Sequence, residues 1–297
     1  GAQNTSIGYR SFENYTTATK NVVVGGNALQ LKTTGNQNVA IGFRASQYNI
    51  VGGNQVVVGN EAGRYATGSS NTFVGSSAGK GGITSAPYSS GINNTAVGAF
   101  AFDGFTTGNN NTAVGHSALG QVSSGIGNVG IGYYANQRTT TGNYNISIGS
   151  EGYGFSTGER NIAMGYRAAM NPHTVSDNIA IGHSAMYAIA GGSYNFAIGT
   201  EAMYGHSSAG TNSNNIAMGY RSLYQVGKGS ENVAIGHGTG YQMLSGSQNT
   251  LLGHEAGKYT TGSGNTFVGY LSGYGGLGNS APYSSGQYNT AVGYKAL

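Results

Sequence analysis

A five-residue pattern returns from one end of the chain to the other: Asn, a β-branched or aromatic residue, a usually small residue, a large aliphatic, Gly. It reads Asn38-Val39-Ala40-Ile41-Gly42, Asn111-Thr112-Ala113-Val114-Gly115, Asn178-Ile179-Ala180-Ile181-Gly182 and Asn232-Val233-Ala234-Ile235-Gly236. Seventeen copies begin between Asn4 and Asn289, with Gln55 in the Asn place once, and successive starts are mostly 17 residues apart. Period-two alternation in β-branched residues predicts a short strand over the three central positions. A fixed period this short predicts an all-β parallel β-solenoid of about 17 residues per coil, a single array over residues 1–297.

The first and third strand positions carry the larger residues, so Val114, Ile181 and Ile235 are expected to point into a thin core. The second position (Ala40, Ala113, Ala180, Ala234) then faces outwards, smooth enough for another chain to approach. Gly42, Gly115, Gly182 and Gly236 suit corners that need positive φ. Asn38, Asn111, Asn178 and Asn232 can hydrogen-bond to their counterparts up a ladder. A second short strand is expected after each Gly, closed by turns such as Thr106-Thr107-Gly108.

Ordering one coil costs roughly 17–34 kcal/mol at about 1–2 per residue. Two or three buried aliphatics return only about 2–3 kcal/mol each. A coil therefore depends on its neighbours, and the stack is expected to bury its alanine face against copies of itself under cyclic symmetry.

Three insertions break the rhythm, at 79–93, 200–214 and 273–288. The first and third share Ser-Ala-Pro-Tyr-Ser-Ser-Gly, at 85–91 and 280–286, and lie about 194 residues apart, as do Asn21 and Asn215. A longer unit has been copied, insertion included. Insertions in solenoids map to loops on one face, often a binding face.

Composition narrows the classes. Fifty-five Gly would suggest collagen or disorder, but Gly is not every third residue and the aliphatic returns on schedule. The 13 Lys and Arg are scattered, so the net charge of +4 does not describe a nucleic-acid groove. No apolar run approaches a membrane span. The chain starts inside one repeat and stops just after another, which reads as a piece of a longer protein flanked by further fibre domains.

Asn-Thr-Ala-Val-Gly-Tyr-Lys-Ala-Leu at 289–297 and Asn-Val-Ala-Ile-Gly at 38–42 and 232–236 resemble the head repeats of trimeric autotransporter adhesins of the YadA type. They are also similar to repeat arrays of phage tail fibres, which match better in period and in the Thr-Thr-Gly turn. The resemblance implies a left-handed β-roll three chains wide, a homotrimeric fibre outside the cell or on a virion, used to attach to surfaces. A bacterial adhesin head and a purely structural spacer rod are the alternatives.

Candidate chemistry is sparse. His116, His183, His237 and His254 share the slot after the corner Gly with several Tyr, and metal-ligand spacing within one chain is absent, so neither metal nor cofactor is expected. Glu61, Glu151, Glu201 and Glu255 share the next slot but sit at least three coils apart, which does not supply the close carboxyl pair of a glycosidase. The reading is non-enzymatic. Twenty-two Tyr among abundant Asn, Ser and Thr suit carbohydrate, because flat rings stack on sugars while amides and hydroxyls bind their hydroxyl groups. A cell-surface glycan or other surface receptor is the expected partner, through Tyr88 and Tyr283 in the copied insertions and Tyr204 and His206 in the third.

Overall fold

The computed structural model describes residues 2–82, 88–152, 157–170, 174–188, 191–205, 212–276 and 284–297. It divides into two compact units, Gly1–Glu151 and Gly152–Leu297. The first holds nine three-residue strands: β1 (Thr5–Ile7), β2 (Val22–Val24), β3 (Val39–Ile41), β4 (Val56–Val58), β5 (Thr72–Val74), β6 (Thr95–Val97), β7 (Thr112–Val114), β8 (Val129–Ile131) and β9 (Ile146–Ile148). The second holds β10 (Ile162–Met164), β11 (Ile179–Ile181), β12 (Phe196–Ile198), β13 (Ile216–Met218), β14 (Val233–Ile235), β15 (Thr250–Leu252), β16 (Thr266–Val268) and β17 (Thr290–Val292). No helix occurs among the described residues.

Within each unit every strand pairs in parallel with the next along the chain, equivalent positions opposite one another. Ala113 lies beside Gly130 and Val114 beside Ile131 in the first, and Ala180 beside Ala197 in the second. Each unit is therefore a parallel β-solenoid, with the ladder running from coil to coil: Thr112 N–H donates to Asn128 O at 2.8 Å and Gly115 N–H to Val97 O at 2.8 Å.

The Asn ladder exists as the repeat suggests. Asn111 Oδ1 accepts from both the backbone N–H (2.9 Å) and the side-chain amide (3.2 Å) of Asn128, whose Nδ2 also donates to Gly142 O at 2.8 Å. Asn38, Asn111, Asn178 and Asn232 are all buried with these bonds made. Gln55 keeps two of these bonds, its N–H donating to Asn38 Oδ1 at 3.2 Å and its Nε2 to Gly68 O, but its longer side chain takes the acceptor elsewhere: Oε1 accepts from Ser46 Oγ (3.1 Å) and Asn49 Nδ2 (2.7 Å). The corner glycines are required twice over. Gly115 has φ +129°, and a Cβ there would stand 2.4 Å from Gly132 O, since successive corners stack backbone on backbone.

The two strand faces are reversed relative to the sequence expectation. From β2 onwards the second position is buried in every strand, and Ala40, Ala113, Ala180 and Ala234 have no exposed surface at all. The third position looks outwards: Val114 is 37% exposed and Ile235 40%, and Ile181 is half-buried. The physical reason is volume. The segment returning after each corner brings its own side chains inside, at the third and fourth residues after the Gly (Ala118 and Leu119; Ala185 and Met186). Little room remains for the strand residue that meets them.

The returning segment is also not a second strand. It is a run of turns in which the second and fourth residues after the corner are left-handed, as in Ser117 (φ 51°) and Leu119 (φ 52°) or Arg221 (φ 53°) and Leu223 (φ 49°). Its donors bond alternately within the turn and to neighbouring coils: Ala118 N–H to Gly115 O at 3.4 Å, Leu119 N–H to Ala135 O at 3.0 Å. Each non-glycine residue in this conformation costs on the order of 1–2 kcal/mol, which the coil-to-coil ladder offsets.

Core volume is exchanged across the coil. Where the strand contributes Phe73, Leu251 or Phe267, the facing fourth residue is Gly79, Gly257 or Gly273; a Cβ on Gly79 would lie 2.3 Å from the Phe73 ring. Where the strand contributes Ala96, Ala113 or Ala197, the facing residue is Phe102, Leu119 or Met203. After the copied insertions the chain rejoins the lattice through its serines, with Ser89 bridging Ala66 and Ser284 bridging Thr260.

Candidate ligand-binding surface

Identical slots in successive coils lie one strand spacing apart, about 4.7–4.9 Å, so repeated aromatics stack into ladders. In the second unit the fifth residue after the corner is Tyr in four consecutive coils. Tyr187 and Tyr204 stack at 4.8 Å and 5°, Tyr204 and Tyr224 at 5.1 Å and 21°, Tyr224 and Tyr241 at 4.9 Å and 9°. The slot directly after the corner gives a second ladder, Tyr220, His237, His254, Tyr270 and Tyr294, with neighbours 4.7–5.4 Å apart. These rings are largely solvent-facing, from 40% exposed at Tyr220 to 72% at Tyr294.

Between the ladders runs the second slot after the corner, where Glu201, Arg221, Gly238 and Glu255 follow one another. Arg221 Nε donates to Glu201 at 2.6 Å, and its guanidinium lies 4.9 Å from the Tyr220 ring and 5.2 Å from Tyr224. Lys258 Nζ donates to Glu255 at 2.7 Å among Tyr241, Tyr259 and Tyr274, with centroids 5.4–5.8 Å away. Burial pushes the Tyr204 and Tyr224 phenols up from their ordinary range, so both remain O–H donors at neutral pH. The result is a flat-ringed, hydrogen-bonding surface with its charges paired.

Tyr204, expected to act from the loop of the third insertion, instead occupies the regular fifth slot after the corner as a member of the ladder. Tyr88 belongs to a smaller cluster in the first unit, 5.0 Å from Tyr48 and 6.1 Å from Tyr65, with the Arg64 guanidinium 4.9 Å from the Tyr65 ring. Tyr283 and His206 lie outside the described residues. Sequence reasoning missed Tyr187, Tyr224 and Tyr241, although their constant offset from the corner Gly in consecutive coils was available as a signal.

Several of the charged residues are engaged with one another. Glu61 is surrounded by Arg44 (3.3 Å), Arg64 (2.8 Å) and Lys80 (2.9 Å); its hydrogen bond from Lys80, with the nearby Arg64, holds its carboxyl below the usual range. Arg160 pairs with Asp177 at 2.7 Å.

One cluster was not anticipated. His237, His254 and Glu255 bring ligand-type atoms within 4.8 Å of one another in a single chain, against the expectation that metal spacing is absent. The geometry does not favour an ion there: the imidazoles are parallel to within 2°, so their in-plane lone pairs do not converge, and Glu255 is held by Lys258. Neither a protein-family model nor a curated protein sequence matches the chain. The fold defines it as a parallel β-solenoid repeat protein.

Proposed function

We propose that the chain is the structural and surface-recognition part of a homotrimeric fibre, of the tail-fibre kind, working outside the cell or on a virion surface and attaching to cell-surface glycan. The carrying observation is the outward strand face. Val97, Val114, Ile131 and Ile148 in the first unit, and Met164, Ile181, Ile198, Met218 and Ile235 in the second, form in each a continuous row of partly exposed aliphatics. Apolar surface that extensive and regular is rare on monomers and marks association. A repeating face suits an identical repeating face, with cyclic symmetry closing the assembly; three is the number the motif resemblance implies. The seam of this assembly is the Val and Ile row rather than the alanines.

The aromatic ladders supply the recognition half of the reading, since rings and paired charges together match the apolar and hydroxyl faces of sugars. The experiment is sedimentation equilibrium of wild type and Val114→Asp combined with Ile131→Asp. Wild type is expected at three chains, and the variant at one with its β-type circular dichroism retained. A monomeric wild type, or a variant that stays trimeric, overturns the seam.

A further inference from the structure

Gly238 is the one glycine among the seventeen residues that follow a corner glycine at the second place; every other coil has a side chain there. Its φ is +61°, like the left-handed values of its counterparts Arg221 (53°) and Glu255 (54°), so the backbone is unchanged and only the side chain is missing. The omission leaves a cavity of about 280 Å³. Tyr220 and His237 form one wall, Tyr241 the other, and Arg221, Glu255 and Lys258 the remaining edges.

We propose that this pit is a saccharide subsite that takes one neutral hexose or N-acetylhexosamine unit of a glycan. The inference deepens the recognition half of the function proposed above and rests on it. Three features select the ligand. The walls are aromatic and solvent-facing, which suits the C–H face of a pyranose. The volume lies just below the roughly 300–1,000 Å³ range of ligand sites, too small for a long oligosaccharide to be enclosed. The charges at the rim are already matched, Arg221 by Glu201 and Lys258 by Glu255. Donors and acceptors are thus both presented, without a free cation to favour an acidic sugar. The buried Tyr259 also lines the pit, its ring centroid 5.4 Å from Lys258 Nζ.

The test fills the pit. A Cβ on Gly238 would meet only Glu255, with Cγ at 3.3 Å and Oε1 at 3.9 Å, and sixteen coils already carry a side chain in this conformation, so Gly238→Gln is expected to fold, with a melting temperature lowered modestly by the left-handed backbone of a non-glycine residue. Binding of the intact assembly to methyl galactoside, methyl glucoside, N-acetylglucosamine and N-acetylneuraminic acid is followed by tyrosine fluorescence, which no Trp obscures, and by glycan array. Expected is binding of at least one neutral sugar by wild type, weakened at least tenfold in Gly238→Gln. Equal binding by the two proteins removes the pit and leaves surface recognition standing. Preference for N-acetylneuraminic acid overturns the neutral assignment. Wild type that binds neither sugars, array glycans nor cells defeats the recognition reading itself, and the pit with it.

Discussion

Lys32 shows most directly how the coil interior treats a single residue. Its side chain is wholly buried, donating to Asn49 Oδ1 at 3.2 Å and to Gly52 O, with no carboxylate among these acceptors. Burial alone lowers its pKa to about 7. Unfolded, the same amine titrates near 10.4. Between pH 7 and about 10 the unfolded chain therefore holds a proton that the folded chain lacks, and stability rises with pH, by up to about 1.4 kcal/mol per unit. Below pH 7 both states are protonated and the penalty is constant. Met243 occupies the equivalent slot in another coil and is fully buried there, so Lys32→Met should fit. Urea unfolding at pH 7, 8 and 9 is expected to show the variant more stable at pH 7 and the gap closing as pH rises. A gap that does not change with pH would mean that Lys32 is not carried neutral in the fold.

At the scale of the element, the sequence made some features legible and hid others for a reason that can be named. The strands, their register, the Asn ladder and the corner glycines could all be read, because each leaves a residue type at a fixed place: Asn111 and Gly115 recur with their roles intact, and Thr112–Val114 is the expected strand. Which face is inside could not be read from alternation, since a period of two defines two faces without ranking them. Residue size pointed the wrong way because the filling side chains, such as Leu119 and Met186, come from a turn segment in left-handed conformations that no glycine announces. The signal that would have settled it is the reciprocal sizing of Phe73 with Gly79 and Phe267 with Gly273 against Ala113 with Leu119. That reciprocity predicts a coupling. Ala180→Phe should destabilise strongly, by overpacking of about 1–3 kcal/mol or more, because Met186 already fills the facing slot. Adding Met186→Gly reproduces the Phe73–Gly79 arrangement and should restore much of the loss. A double-mutant cycle of melting temperatures that proves additive would refute the exchange of volume across the coil. The candidate surface was half legible in the same sense: abundant Tyr was visible, but the tyrosines in the copied insertions drew attention away from the regular ladder through Tyr187, Tyr204, Tyr224 and Tyr241.

For the molecule as a whole, the decisive contrast is between where its charges and its exposed aliphatics lie. Only 7% of residues are charged, and the ion pairs of Glu61, Glu201 and Glu255 use the slots after the corner, within one chain. The strand face beside them carries Thr, Val, Ile, Met, Leu252 and Phe196 but no ionisable side chain. Burying what remains exposed of each aliphatic in that row is worth roughly 1 kcal/mol per residue, a sum that reaches the scale of a stable association even after its entropic cost. An assembly held this way has a distinct response to solvent. Raising salt screens ion pairs but does not weaken apolar burial, so the oligomer should persist in 1 M sodium chloride and separate in urea. In the proposed assembly only association hides the row, so folding would be linked to it and the melting temperature should rise with protein concentration. Val114→Asp with Ile131→Asp should abolish that concentration dependence and lower the melt, while leaving the Asn ladder and the alanine interior untouched. Melts over a hundredfold range of concentration, with and without salt, test this. Dissociation by salt would place the seam on the charged slots instead, and a concentration-independent wild-type melt would leave the aliphatic row without a partner.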